Sequence, residues 1–580
     1  MSAVAARRNV AFMMVARAGV LTATSFFLCV AGAAAANPAI PGRTYAPEAL
    51  QGRIAGPLAP HETVKIHVLL QGRNEDELDG LIAAQSTPGS FAYGRYLTPQ
   101  QFGSYFGADP ATYARAIAGL RAAGLTILEL PNNRRDIVAA APAATLASLF
   151  QTPIDLHVEG SRTFYAARYA PLIPPWLHAV AVTGLDDYHE MHSHMRIAPA
   201  QIAGGQFSYA PADVAVAYDL NPLYQQGLGG NGVTMANATF GAATASDLAG
   251  FETTFKLPAA KLVTTPIDGP SCAATGCNGE STLDADWATA TARNVTFDQV
   301  VAHSTRNKDF DDVYEYIVDT LGASTHVVTT SWGSCEQEMS KSELALDNGY
   351  FQQAAAEGQW WFSASGDNGT DDCENYRRRT VSVDFPGTSP YVISVGGTRL
   401  RAAIANGGVT RYESESVWAF GNCGYGGNGS NGAGGGGKSA LYPKPAYQTA
   451  ITPHDGSRDV PDVSLVADDV NDGLFVYDGG RLQSGWGGTS EAAPQWAGLL
   501  AIVEQKKGNY KKVADPHARL YQLAASADRA KVFHDVVGAN NGVPACAGDI
   551  AVFPGYDAVK GFDLASGIGS YDGAALVRAY

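Results

Sequence analysis

Ser490 follows Gly487-Gly488-Thr489 and opens onto an apolar run, Ala492 to Val503, long enough for a helix. The spacing predicts that Pro494 falls in the first turn of that helix, where proline is tolerated. Ser490 is therefore expected at a helix N-terminus, where free N–H groups and the helix dipole favour negative charge. A serine so placed can act as a nucleophile with an oxyanion forming beside it, or it can be an ordinary N-cap. Glu280 and Asp284 stand four residues apart at the start of a second expected helix, ending near Ala292. That spacing puts both carboxyls on one face, about 6 Å apart. Buried together they cannot both ionise easily, so the pair can share a proton and serve as a base in acid. Exposed, they would only complement the helix dipole. Asp367 ends the stretch Ser363-Ala364-Ser365-Gly366-Asp367 beyond an expected strand. A protonated carboxyl there could donate to an oxyanion; otherwise it is a turn aspartate.

The elements that must position these groups alternate between strand and helix. Gly232–Ala236, His326–Thr330, Trp360–Ser363 and Tyr391–Val395 read as strands, with helices over Ala245–Phe255, Asp309–Leu321 and Leu344–Glu357. This is the pattern of a mainly parallel α/β sheet, whose active groups gather beyond the carboxyl ends of strands. Upstream, Val64–Leu70 and Thr126–Leu130 read as strands among helices at Glu75–Ala84, Gln100–Phe106, Ala111–Ala123 and Ala144–Phe150, an α+β unit. Small and polar residues over 198–206 mark the boundary between the two parts. His189, His192 and His194 just before it could bind metal or sense pH, but a solvated linker is the expectation. Gly424–Gly437 lacks a P-loop frame and reads as a loop. Asn237-Ala238-Thr239 is a glycosylation sequon.

The 580 residues, 46% hydrophobic and 17% charged, exceed one typical domain. A net charge of −16 argues against nucleic acid as a partner. Residues 1–36 hold three Arg and no acid around an apolar stretch from Ala18 to Ala31, closed by Ala34-Ala35-Ala36. This is a secretory signal pattern; its removal would take the charge to −19 and leave no membrane anchor. Six cysteines then remain, Cys272, Cys277, Cys335, Cys373, Cys423 and Cys546, which in an exported chain suggests three disulfides. Cys272–Cys277 is a plausible local closure and Cys335–Cys373 a guess.

Taken in order, Gly279-Glu280-Ser-Thr-Leu-Asp284, Ser331-Trp332-Gly333, Ser363-Ala-Ser-Gly-Asp367, Arg458-Asp-Val-Pro461-Asp462 and Gly488-Thr489-Ser490 resemble the sedolisin family, the serine-carboxyl peptidases. Tyr96-Leu97-Thr98 is similar to the family's activation domain. The resemblance implies a subtilisin-like, mainly parallel sheet flanked by helices, preceded by an α+β prodomain. The implied division is signal 1–36, prodomain 37–205 and peptidase 206–580. It implies that Ser490 attacks the scissile carbonyl, that Glu280 is the general base held by Asp284, and that Asp367 stabilises the oxyanion. It also implies one structural Ca²⁺, held by the carboxylates of Asp535 and Asp563 and the carbonyls of Val536, Val559 and Gly561. The expected partners are protein and peptide substrates and the chain's own prodomain, which acts as chaperone and inhibitor and is cut off in acid near Ser193–Gly205. The expected state is a secreted or periplasmic monomer. Three rival readings stand beside it: an inactive peptide-binding relative, a calcium-dependent adhesion protein, and a Ser-His-Asp enzyme using His303, His326, His454, His517 or His534.

Overall fold

Strand Trp360–Ala364 shows how the core is built. Its side chains alternate between two faces. Trp360 and Phe362 pack into a cluster with Leu499, Leu500 and Val503 of the helix Thr489–Lys507, while Trp361 faces Phe310, Tyr314 and Phe351 on the other side. Helices thus cover both faces of a central sheet, as a buried parallel sheet requires. In a computed structural model, residues 43–198, 207–269, 278–373, 380–420, 432–542 and 554–580 are described.

The sheet runs in the order Lys261–Pro266, Thr296–Ala302, Thr234–Phe240, Val327–Thr330, Trp360–Ala364, Val392–Ala405, Gly408–Val417. Its pairings are parallel except for the last hairpin, and Val463–Val466 adds a parallel partner to Val392–Ala405. The expected α/β architecture is therefore present. The strand expected at Gly232–Ala236 extends over Thr234–Phe240, and the helix expected over Asp309–Leu321 is Asn307–Glu315 followed by a π-helical turn, Tyr316–Thr320.

The N-terminal part is an α+β unit. A four-stranded antiparallel sheet, in the order Thr126–Glu129, Val138–Pro142, Thr63–Leu70, Ala179–Thr183, carries its own core of Ile66, Val68, Leu120, Leu146 and Phe150. Its other face meets the helices Asn307–Glu315 and Lys341–Glu357, where Leu69 and Ala181 join the Phe310 cluster. Polar groups fix the same contact. His67 lies between Asp136 Oδ2 at 2.6 Å and Asp312 Oδ1 at 3.0 Å, and Lys65 pairs with both Asp312 and Asp268. The N–H groups of Asn132 and Asn133 donate to the Asp319 carboxylate at 2.6 and 2.9 Å.

Cys335 and Cys373 form a disulfide with their Cα atoms 5.0 Å apart. The signal segment, Cys272, Cys277, Cys423, Cys546 and most of the 198–206 boundary lie outside the described residues.

Candidate active site

The helix Gly279–Thr291 buries Glu280 and Asp284 on one face, with 3% and 0% of their surface exposed. The exposed alternative is thereby removed. Asp284 is held from two strands: Ser331, just past the end of Val327–Thr330, donates its hydroxyl to Oδ1 at 2.6 Å, and Asn237 Nδ2 donates to Oδ2 at 2.9 Å. Burial pushes the Asp284 carboxyl up to about 7 against those two hydrogen bonds. Burial, and then the neighbouring Asp284 charge, push Glu280 well above the usual carboxylate range. Together they hold a shared proton at neutral pH. Asn237 is fully buried in this contact, so the sequon at Asn237 is closed to glycosylation.

Ser490 is the second residue of the helix Thr489–Lys507. The cap is Gly488, with no side-chain capping bond, so the N-cap reading of Ser490 is corrected. Pro494 is the sixth residue of this helix and lies in its second turn, not its first. Lacking an N–H, it cannot bond back to the Ser490 carbonyl. The Ser490 hydroxyl is buried and completes no hydrogen bond. It stands close enough to Glu280 to favour that group's ionised form, and Glu280 Oε1 is likewise unpartnered.

Asp367 follows the strand Trp360–Ala364, as its sequence position suggests. Its Oδ1 accepts the Thr489 N–H at 2.8 Å and the Thr489 hydroxyl at 2.9 Å. This ties it to the residue next to Ser490. Oδ2 accepts no hydrogen bond and lies 3.4 Å from Arg196 Nε. Burial raises the Asp367 carboxyl, opposed chiefly by the Arg196 charge. The structure thus brings together all four expected groups: a serine, a proton-sharing acid pair and a third buried acid.

Residues 51–188 match the pro-kumamolisin activation domain, and residues 272–536 match the subtilase family. Kumamolisin from Bacillus sp. (strain MN-32) is 30% identical over 93% of this chain and 94% of its own length. The chain belongs to the sedolisin family. Sedolisin from Pseudomonas sp. (strain 101) is 28% identical over 91% of this chain and 90% of its own. The solved Pseudomonas sedolisin, a serine-carboxyl proteinase complexed with two molecules of pseudo-iodotyrostatin, superposes with a TM-score of 0.56, covering 65% of this chain and 98% of that one. The protein is a serine-type peptidase of sedolisin type, preceded by an activation domain.

None of the five histidines of the Ser-His-Asp alternative bonds to Ser490. His326 stacks on Tyr510, His534 stacks on Tyr412, His517 lies 3.3 Å from Asp515, and His303 and His454 are exposed. Near the C-terminus, Asp535 and Asp563 both face the loop that carries Val559 and Gly561. Gly561 N–H donates to Asp535 at 3.1 Å and Val559 N–H to Asp563 at 2.9 Å. Arg529 also answers Asp535, at 2.9 Å. Among the described residues no group of three or more His, Cys, Asp or Glu is placed to hold a metal ion. The set expected from the sequence, two carboxylates and three carbonyls, would be all oxygen, which suits a hard cation.

Sequence reasoning missed the residues that hold the acids, Ser331, Asn237 and Thr489. It also misplaced the 189–197 segment. His189 and His194 are buried, not solvated. His189 lies 3.3 Å from Glu48, and Ser193 donates its hydroxyl to Glu280 Oε2. The three histidines do not gather into a metal site.

Proposed function

We propose that the protein is an exported, acid-active endopeptidase made as a self-processing zymogen. Ser490 attacks the substrate carbonyl while Glu280 takes its proton, with Asp284 holding Glu280 in place. The protonated Asp367 carboxyl and the Ser490 N–H then share the oxyanion. Glu280 returns the proton to the leaving amine, and water releases the acyl group by the same route. The observation that carries this reading is the buried Glu280–Asp284 pair beside Ser490, with Asp367 locked onto Thr489. The N-terminal part, docked through Lys65 and His67, serves as intramolecular inhibitor until it is cut away. Residues Asp535, Val536, Val559, Gly561 and Asp563 would hold one Ca²⁺, with the cation taking over the oxygen that Arg529 now contacts. The ion would brace the C-terminal loops and takes no part in the chemistry.

The test is hydrolysis of a denatured protein at a pH of about 4, near an ordinary carboxyl pKa. The protein should cleave it, and Ser490→Ala should lose at least about 10³-fold in rate. Equal, negligible cleavage by both proteins would leave a peptide-binding relative without activity.

A further inference from the structure

Glu491 follows Ser490 and is the third residue of the helix Thr489–Lys507. It is fully buried, and neither of its carboxyl oxygens completes a hydrogen bond. A glutamate at this position commonly reaches back to the N–H of the capping residue. Here the first turn has no donor left to offer. Gly488 N–H donates to the Ala467 carbonyl at 2.7 Å, and Thr489 N–H to Asp367 at 2.8 Å. Ser490 N–H donates to the His194 carbonyl at 3.3 Å, and Glu491 N–H to the Gly488 carbonyl at 3.0 Å.

The groups that face Glu491 are mostly acidic. Asp469 opens the short helix Asp469–Asp472, which is pressed against the strand leading to Ser490; a Cβ built on Gly487 would sit 2.5 Å from the Asp469 nitrogen. Burial, then the charges of Asp469 and Asp367, push the Glu491 carboxyl well above the usual range; Asp468 adds to them and the Leu474 N–H opposes them. The other acids have their own counterparts. Asp468 accepts the Val470 and Asn471 N–H groups and lies 3.8 Å from Arg399, while Arg196 answers Asp367 and Asp469. No cation answers Glu491 among the described residues. A helix N-terminus favours negative charge, but its dipole offsets only a fraction of the cost of an unpaired buried carboxylate. Glu491 is therefore neutral while the turn is closed. It can ionise only by reaching water, and it cannot reach water without moving the turn that holds Ser490.

We propose that Glu491 is a positioning residue: as a neutral acid it keeps the turn Gly488–Glu491, and Ser490 with it, in place, and its ionisation opens that turn. The seating is complete below the ordinary carboxylate range and is lost as pH rises through the folded value. The seating itself does not depend on the serine-carboxyl reading; its consequence for turnover does, because a displaced Ser490 no longer meets Glu280. This opening is separate from the titration of Asp367, which needs no movement of the chain.

The experiment is amide hydrogen exchange of Ser490→Ala precursor, read by mass over residues 487–493, with residues 499–503 of the same helix as internal reference. Between a pH of about 5 and about 8.5, protection of the turn relative to that reference should fall at least about ten-fold. Glu491→Gln, uncharged at every pH, should confine the fall to less than about three-fold. Asp469→Asn, which removes a facing charge, should also reduce it. Equal relative protection at the two pH values with Glu491 in place overturns the proposal, and this comparison decides even where the glutamine variant does not fold. A fall that persists undiminished in both variants assigns the opening to other groups and likewise overturns it. Neither result bears on the peptidase reading, which stands or falls on hydrolysis of denatured protein by the enzyme with Ser490 intact.

Discussion

In the proposed role Asp367 has to carry a proton, because an ionised carboxylate would repel an oxyanion. Burial holds its carboxyl above the usual range, so the protonated form persists into mild acid and is lost as pH rises. Activity is therefore expected in acid and should fall toward neutrality; a flat pH–rate profile would contradict this. Asp367→Ala should lower kcat/KM by about 10²–10³-fold, the cost of one oxyanion donor. Asp367→Asn discriminates further. Its Oδ1 can still accept from Thr489, which leaves the amide Nδ2–H₂ to donate at any pH. That variant should keep more activity than alanine and hold it to higher pH. If alanine and asparagine gave the same rate and pH profile, Asp367 would not be the donor.

At the scale of elements, the parts legible in the sequence were those carried by short spacings. Two acids at i and i+4 share a helix face wherever the helix packs, and a serine before an apolar run sits at a helix start. A strand ending in Ser-Gly-Asp delivers its aspartate to the rim of a parallel sheet. What stayed hidden depends on contacts between distant segments. Ser331 and Asn237 reach Asp284 from 47 residues away on either side, and Ser193 reaches Glu280 across 87. Nothing local to His192–Ile197 marks it as a strand, because its ladder partners lie in Trp332–Cys335 and Arg481–Gly487. The C-terminal loop around Asp535 and Asp563 offers another element-scale test. At a Ca²⁺ concentration about 100 times its Kd, the ion should add about 2.7 kcal/mol to stability. The urea midpoint of Ser490→Ala protein should accordingly drop when EGTA replaces Ca²⁺, and Asp535→Asn should abolish the difference. Identical midpoints with and without the ion would sink the calcium assignment.

Across the whole molecule, buried acids set the pH at which the fold is firmest. Burial raises Asp284 and Asp469 to about 7, Asp311 to about 8 and Glu315 to about 9. Each binds its proton more tightly folded than unfolded. Its contribution is complete below the ordinary carboxylate range and is lost as pH rises through the folded value. His189, raised to about 9 by Glu48 and nearby acids despite its burial, acts in the same direction. Asp312 opposes them: burial works to raise it, but His67 and Lys65 outweigh that and hold it low, so its contribution fades only in strong acid. The urea midpoint of Ser490→Ala precursor should thus be higher at a pH of about 5 than at about 8.5; the reverse order would refute this account. The cleft that seats residues 192 to 198 grips its occupant by the main chain along both flanks. Any visitor must offer the same free edge, and a polypeptide still buttoned into its own sheets has none to spare. Sourness would then do double duty, arming the blade and unfastening whatever it is meant to shear.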